Sequence, residues 1–445
     1  MMAMILCVLA FIACFVAGRR SLGQGLVALL VFGYFYGILR ANLLTTASHF
    51  IFDAGMVGLF LAYLSSPQPA KGSETVKIFT VLLMVWPCLL VLLPFQPLLV
   101  SLVGLRANIF FVPLLLLGSR LKGKDLITLS LGLAVLDLIA VGFAGAEYFL
   151  GVPRFFPMSP VTEIIYASGD VEGGFLRIPA TFSNAHAFGG TMVTSIPFLI
   201  GLWTKAEHRL QRLLALVAMP AALLGVLMSA TRTNFIFGSA MVLFVLFTAK
   251  VKPQHRVIFV VIVVAIGVAA MTNVRFQRFK SLGDTEGVTE RIAGSVNRGF
   301  WEILVDYPMG NGLGGGGSSM PYFLAGQVKN AIGIENEYAR ILGEQGIIGL
   351  VLWLSFLFWF YSRAPVAFSK GPWATTRRLS WCLAAIGAGT AWIGTGMLSS
   401  IPGTVLMMMV MGWTTGKQAS EPERAPAPAR RPLPTSRPAQ IVTVQ

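Results

Sequence analysis

The chain is divided into long apolar runs, and this feature limits its possible folds more than any other. A helix that crosses a bilayer needs about 20 mostly apolar residues, and runs of roughly this length follow one another along most of the sequence. They lie near 2–17, 22–39, 49–64, 76–93, 98–117, 126–146, 186–203, 213–228, 234–249, 257–271, 346–361, 379–397 and 400–413. We therefore predict an all-α, polytopic membrane protein with about 12–13 transmembrane helices, whose short last run is either a span or a re-entrant segment.

The composition excludes a soluble protein. Hydrophobic residues make up 55% of the chain and charged residues only 12%, whereas soluble globular domains carry about 25% charged residues. The four cysteines all lie inside apolar runs, without the spacing of a metal or disulfide framework. The chain is apolar from Met1 onward, so we interpret its first run as a retained span.

The net charge of +15 is distributed unevenly between alternate connections. One set of connections holds 22 Lys and Arg residues and the other holds 11. Positive charge accumulates on the cytoplasmic side of membrane proteins, which places the N-terminus outside and the C-terminus inside. The excess of basic residues therefore indicates membrane topology, and no nucleic-acid partner is predicted. We expect one transmembrane domain over 1–413 and a disordered cytoplasmic Pro/Arg-rich tail over 414–445.

Only two connections are long, near 147–185 and 272–345, and both fall on the outer side. Twelve of the 19 acidic residues lie on that side. Chemistry is therefore expected at the outer face, where ATP and nucleotide sugars are not direct substrates.

Arg106 lies inside the fifth apolar run beside Asn108. A guanidinium within the membrane costs a few kcal/mol and needs an anion or a polar cavity. Two alternatives stay open: Arg106 binds substrate, or it pairs with Asp53 or Asp137.

Two polar motifs lie at outer boundaries. The first runs from Arg177 to His186 and includes Asn184; a histidine at a helix start is usually a hydrogen-bonding residue, but His186 is also a candidate for proton transfer. The second, Ser-Ala-Thr-Arg, ends at Arg232. Capping explains its hydroxyls, whereas an arginine suits a phosphate or carboxylate.

A third motif begins with the Pro-Met-Gly-Asn-Gly-Leu-Gly segment 308–314 and continues at 335–350. Its glycines lack the flanking residues of a P-loop, and a flexible lid is the alternative. In the helix that closes the motif, the spacing predicts surface ion pairs of Arg340 with Glu337 and Glu344. Glu335 has no local partner, which makes it the candidate base. Metal binding by the carboxylate pairs at 170/172 and 335/337 is not favoured, and no cofactor is predicted.

Together the three motifs resemble the O-antigen polymerase and O-antigen ligase superfamily of bacterial membrane glycosyltransferases. The resemblance implies an all-helical inner-membrane protein that transfers a glycan from an undecaprenyl-diphosphate carrier on the outer, periplasmic face. It implies that Arg177 and Arg232 bind the diphosphate. Asn184, Asn336 and Tyr338, which lie in the same motifs, and the intramembrane Arg106 are further substrate-binding candidates. Expected partners are the undecaprenyl-diphosphate-linked oligosaccharide, the bilayer and, as an option, a chain-length regulator.

Glu335 stands where ligases of this superfamily typically have a histidine, which favours a polymerase of exopolysaccharide, capsule or O-antigen repeats. A ligase to lipid or protein is the first alternative. A transporter of lipid-linked glycans, using Arg106, Asp53 and Asp137, is the second.

Overall fold

The computed structural model describes residues 1–65, 73–167, 175–248, 300–316, 320–332, 336–392 and 400–416, with single positions between 257 and 293 and position 398. Over these residues the chain is helical and has no strand, which confirms the predicted all-α class. The helices that begin before position 200 are α1 (Met2–Arg20), α2 (Leu22–Tyr34), α3 (Tyr36–Asn42), α4 (Ile51–Leu64), α5 (Glu74–Leu90), α6 (Leu98–Ile109), α7 (Leu114–Gly118), α8 (Gly123–Leu150), α9 (Glu163–Ala167) and α10 (Ala185–Lys205). The others are α11 (Arg209–Met228), α12 (Arg232–Thr248), α13 (Trp301–Asp306), α14 (Tyr322–Ala325), α15 (Glu337–Ser362), α16 (Ala364–Ala367), α17 (Ala374–Thr390) and α18 (Gly403–Thr415).

Seven helical segments in the described part of the chain are long and apolar enough to cross a membrane. The pair α2 and α3, bent by 42°, gives an eighth if it is counted as one span. The polytopic helical class is thus supported, with fewer full-length spans than the sequence predicts. The difference arises because α5, α12, α17 and α18 are only 17, 17, 17 and 13 residues long, and most of the run 257–271 lies outside the described residues.

Helix α10 lies at the centre of the bundle and α1 at its edge. The most apolar window of α10 has 83% of its residues buried, against 17% for α1. Helix α1 packs on α4 through small residues, because a Cβ at Gly58 would lie 2.4 Å from the backbone oxygen of Phe11. Close backbone approach of this kind is a main source of helix association in lipid, where apolar burial supplies no driving force.

The helices alternate in direction, so their connections gather at two ends of the bundle. At one end α3 and α8 terminate and α4, α10, α12 and α15 begin; we call this the motif end, because all three polar motifs lie there. At the opposite end, Asp125 at the start of α8 accepts a hydrogen bond from the Gly23 N–H at 2.9 Å. That end carries the described basic connections of the predicted cytoplasmic side, such as those joining α7 to α8 and α10 to α11.

The predicted domain boundary near 413 falls within α18. This helix continues to Thr415, and both Thr414 and Thr415 are fully buried. The tail from 417 onward lies outside the described residues, so its predicted disorder stays a prediction.

Candidate functional site

The first motif is fixed to the bundle by two hydrogen bonds from its neighbours. Ile38 in α3 donates its N–H to the Thr181 carbonyl at 3.1 Å, and the Ala180 N–H is donated to Glu147 Oε2 at 2.9 Å. Glu147, at the end of α8, is fully buried. From the sequence, Glu147 is only one of the acidic residues on the outer side. The available signal for its structural role is its position one turn before Gly151, the glycine that ends α8.

Arg177 is the most informative residue of this motif. Its side chain is buried, with 6% of the residue exposed, and its Nη1 lies 3.1 Å from His186 Nε2. The ion pairs among described residues do not include Arg177, and its Nε has no hydrogen-bond partner within the same set. A buried charge without an opposite charge costs several kcal/mol. The position of Arg177 is therefore suited to bind an anion.

The contact with Arg177 also defines the state of the His186 ring. A guanidinium can only donate hydrogen bonds, so Nε2 of His186 accepts the bond and the ring proton lies on Nδ1. In this arrangement Nε2 is occupied by Arg177. The contact makes His186 a residue that orients Arg177, while its role in proton transfer stays a prediction.

Asn184 has a structural role at the start of α10. Its side-chain oxygen accepts the Ala187 N–H at 2.8 Å, which is the usual N-cap bond. This bond occupies one lone pair of the amide oxygen and leaves the amide NH₂ for other contacts. Substrate binding by Asn184 is not tested by this geometry.

The second motif packs directly on α10, next to the first. A Cβ at Gly189 would lie 2.4 Å from Ser229 Oγ and 2.3 Å from Thr231 Oγ1. The two hydroxyls are 2.7 Å apart, in a tight turn whose Ala230 has φ of 51°. His186 and Gly189 are three residues apart and share one face of α10. The segment that carries Arg177 and the turn that ends in Arg232 therefore contact neighbouring positions on the same face of α10. Arg232 is half-buried and is the first residue of α12.

The glycine-rich segment of the third motif is packed between α6 and α15. A Cβ at Gly104 of α6 would lie 2.2 Å from Gly314 N. Asn311 donates its N–H to Gly343 O at 2.6 Å, and Leu313 is 1% exposed. Gln96 fixes the segment further, since its Nε2 is 2.9 Å from Asn311 O. These described residues form a buried turn rather than the lid considered from the sequence.

Helix α15 bends at Gly346, where the third motif turns. This residue has φ of 69° inside the helix, and a Cβ there would lie 2.6 Å from the backbone carbon of Met309. The Ile347 N–H freed by the bend is donated to Pro308 O at 2.9 Å. The glycine is thus required both by its positive φ and by the close approach of segment 308–310.

The predicted ion pairs of Arg340 exist, but the prediction that they lie on the surface is wrong. Arg340 Nη2 is 2.6 Å from Glu337 Oε1, and Nη1 is 2.9 Å from Glu344 Oε2. All three side chains are at most 1% exposed. Asn108 of α6 completes the network: its Nδ2 donates to Glu344 Oε2 at 2.6 Å and its Oδ1 accepts from Arg340 at 3.2 Å. They are buried because α6 and the glycine-rich turn cover this face of α15.

Arg106 forms a bidentate ion pair with Asp53, as one of the two alternatives predicted. Its Nε and Nη2 lie 2.6 and 2.7 Å from the two carboxylate oxygens. The other intramembrane acid, Asp137, accepts hydrogen bonds from Tyr34 and Ser195 at 2.7 and 2.6 Å. Substrate binding by Arg106 stays a prediction; its side chain is 30% exposed.

Asn336 and Tyr338 are engaged in holding the start of α15. Asn336 Oδ1 accepts the N–H groups of Tyr338 and Ala339 at 2.9 and 3.1 Å. The Tyr338 hydroxyl donates to Ala388 O at 2.6 Å, and its ring packs on Trp392. Neither contact tests substrate binding.

The candidate base Glu335 lies outside the described residues, as do Asp170 and Glu172. Its neighbour in the sequence, Asn336, is the N-cap of α15. Over the described residues, no group of three or more His, Cys, Asp or Glu side chains is arranged to hold a metal ion.

The chain matches no model of a known protein family and no curated protein sequence at a significant level.

Proposed function

We propose that this chain is a membrane glycosyltransferase that polymerises undecaprenyl-diphosphate-linked oligosaccharide units at the outer face of the inner membrane. The observation that carries the proposal is Arg177, a buried guanidinium with no carboxylate partner in the described part of the chain. Arg177 lies shortly before the start of α10, on which the turn that ends in Arg232 packs, and the predicted topology puts this start at the outer boundary of the span. A lipid-linked diphosphate is an anion that arrives at this depth.

The chemistry needs few protein groups. When the glycan leaves its carrier, negative charge grows on the diphosphate, and fixed guanidinium groups stabilise it. Arg177 is held by His186 at 3.1 Å, so little reorganisation is needed when charge develops. The attacking sugar hydroxyl needs a base, for which Glu335 is our choice.

The location of the motif end supports the proposed sidedness. The short, basic connections lie at the opposite end of the described bundle, and positive charge favours the cytoplasm. The motif end then faces the periplasm, where a diphosphate-activated donor supplies the energy without nucleotides.

The charged residues inside the spans favour an enzyme over a transporter. Asp53 and Arg106 pair with each other, and Asp137 is fully buried with two hydroxyl donors. Fixed, satisfied groups of this kind are suited to stabilising one structure rather than to carrying a substrate through the membrane.

The proposal is tested by polymerisation from purified undecaprenyl-diphosphate repeat units. Removal of a charge-assisted contact of roughly 1.5–3 kcal/mol should slow transfer by about one to two decades in Arg177→Ala and in Arg232→Ala. The lysine variants should recover only part of the rate, because an ammonium lacks the bidentate fork. Arg154→Ala is the matched control, since Arg154 is exposed at the same end.

Fully active lysine variants would remove specific diphosphate recognition from the proposal. Transfer of single units to a lipid or protein acceptor, without chain growth, would identify a ligase.

A further inference from the structure

A second cationic position lies at the motif end, on the far side of the first motif from α10. Arg40, near the end of α3, lines a small, partly open cleft together with Ser183, Thr162 and Gly37. The cleft exists because Gly37 has no side chain: a Cβ there would lie 2.0 Å from the Phe182 carbonyl carbon. This close approach places Ser183 beside Arg40, 143 positions earlier in the chain.

Arg40 has a fixed geometry but no counter-ion in the described structure. Its guanidinium carbon lies 5.1 Å from the centroid of the Tyr36 ring, and the Tyr36 hydroxyl is bonded to His49 O at 3.1 Å. The Arg40 Nε is buried without a hydrogen-bond partner, and Arg40 is in none of the ion pairs among described residues. A stacked guanidinium of this kind is preorganised to bind an oxyanion.

Among the described residues that line the cleft, Arg40 carries the only charge. Arg40 and Arg106 both lie within electrostatic range of His49, and Asp53 neutralises only Arg106. Two hydrogen bonds hold the segment that includes Thr162: Thr162 Oγ1 donates to Pro157 O at 2.8 Å, and the Tyr166 hydroxyl donates to Phe156 O.

We propose that this cleft is an oxyanion subsite, separate from the Arg177 and Arg232 positions, in which Arg40 and the Ser183 hydroxyl bind one carboxylate or phosphoryl group. The cleft is small and partly open, which suits the end of one charged group rather than several sugar residues. The group comes either from an acidic sugar of the glycan or from a phospholipid headgroup. The first source rests on the proposed function; the binding chemistry of the cleft does not.

Binding is measured directly, without any transfer reaction, on the full chain purified in phosphatidylcholine nanodiscs. Sodium glucuronate, inorganic phosphate and neutral glucose are each titrated while thermal stability is recorded, since a ligand of the folded state raises it. A parallel arm replaces part of the phosphatidylcholine with phosphatidylglycerol. Stabilisation by glucuronate identifies the acidic sugar, and stabilisation by phosphate and phosphatidylglycerol identifies the headgroup.

Arg40→Gln should lower the affinity for the oxyanion about ten- to a hundredfold, and Ser183→Ala should lower it severalfold. Arg154→Gln, which removes an exposed charge from the same end, should bind the oxyanion as the wild type does. Arg40→Lys keeps the positive charge and should recover part of the affinity. When all variants are equally monodisperse, this recovery shows that the loss in Arg40→Gln does not come from misfolding.

Three results overturn the subsite: no oxyanion stabilises the wild type, Arg40→Gln binds as tightly as the wild type, or binding is lost in Arg177→Ala instead. In the last case the probe occupies the proposed diphosphate position. A failure of polymerisation alone, with oxyanion binding dependent on Arg40, refutes the proposed function and leaves the subsite intact.

Discussion

The buried network around Arg340 allows a stability prediction with a defined magnitude. Arg340 contacts two carboxylates, at 2.6 and 2.9 Å, and no member is more than 1% exposed. Arg340→Met removes this shared cation from the buried Glu337 and Glu344. Removal of one partner from a buried pair costs about 3–5 kcal/mol, a large part of the roughly 5–15 kcal/mol that stabilises a typical protein.

The cost comes from the charges left behind, so it should be recoverable. When Glu337→Gln and Glu344→Gln are added to Arg340→Met, most of the lost stability should return, because buried pairs replaced by uncharged groups are often neutral. Arg106→Met is the matched control. It breaks a bidentate pair of similar length whose arginine is 30% exposed and leaves one carboxylate without its partner rather than two, so its cost should be smaller than that of Arg340→Met.

The assay is denaturant unfolding of the purified protein in mixed micelles, followed by tryptophan fluorescence. The reasoning is refuted if Arg340→Met is no less stable than Arg106→Met, or if the triple variant is as unstable as Arg340→Met alone. The same burial predicts that Glu337→Gln alone reduces stability, because it weakens the ion pair with Arg340.

Three further predictions concern the fold and the proposed site. Gly346→Ala should cost about 1–3 kcal/mol from its positive φ alone and more from the contact with segment 308–310, whereas Gly145→Ala, with no atom within 4 Å of the new Cβ, should be neutral or slightly stabilising in the same unfolding assay. Glu335→Gln should stop transfer in the polymerisation assay without changing membrane levels, while the exposed Glu302→Gln should stay active; equal activity of the two would remove the base assignment. Reporter fusions in the connection between α10 and α11 should report cytoplasm and fusions in α14 the outside, and the reverse result would place the motif end in the cytoplasm.

Much of the fold follows from local sequence. The apolar runs fix where helices form, because an unpaired backbone amide is too costly in lipid for other structures to persist. The pairing of Arg340 with Glu337 and Glu344 also follows locally, since three- and four-residue spacings bring side chains together on any helix. The gathering of the three motifs at one end follows from alternation of the spans.

Tertiary packing decided what local spacing leaves open. Whether Arg340 is exposed depends on Asn108 and the turn that cover it, and nothing within α15 encodes that cover. The choice of Asp53 over Asp137 for Arg106 depends on which helices adjoin α6. Likewise Arg40 meets Ser183 only because Gly37 lets two distant segments touch. Helical periodicity determines the partners of a side chain within its own helix, but burial and counter-ions depend on contacts between segments that are far apart in the sequence.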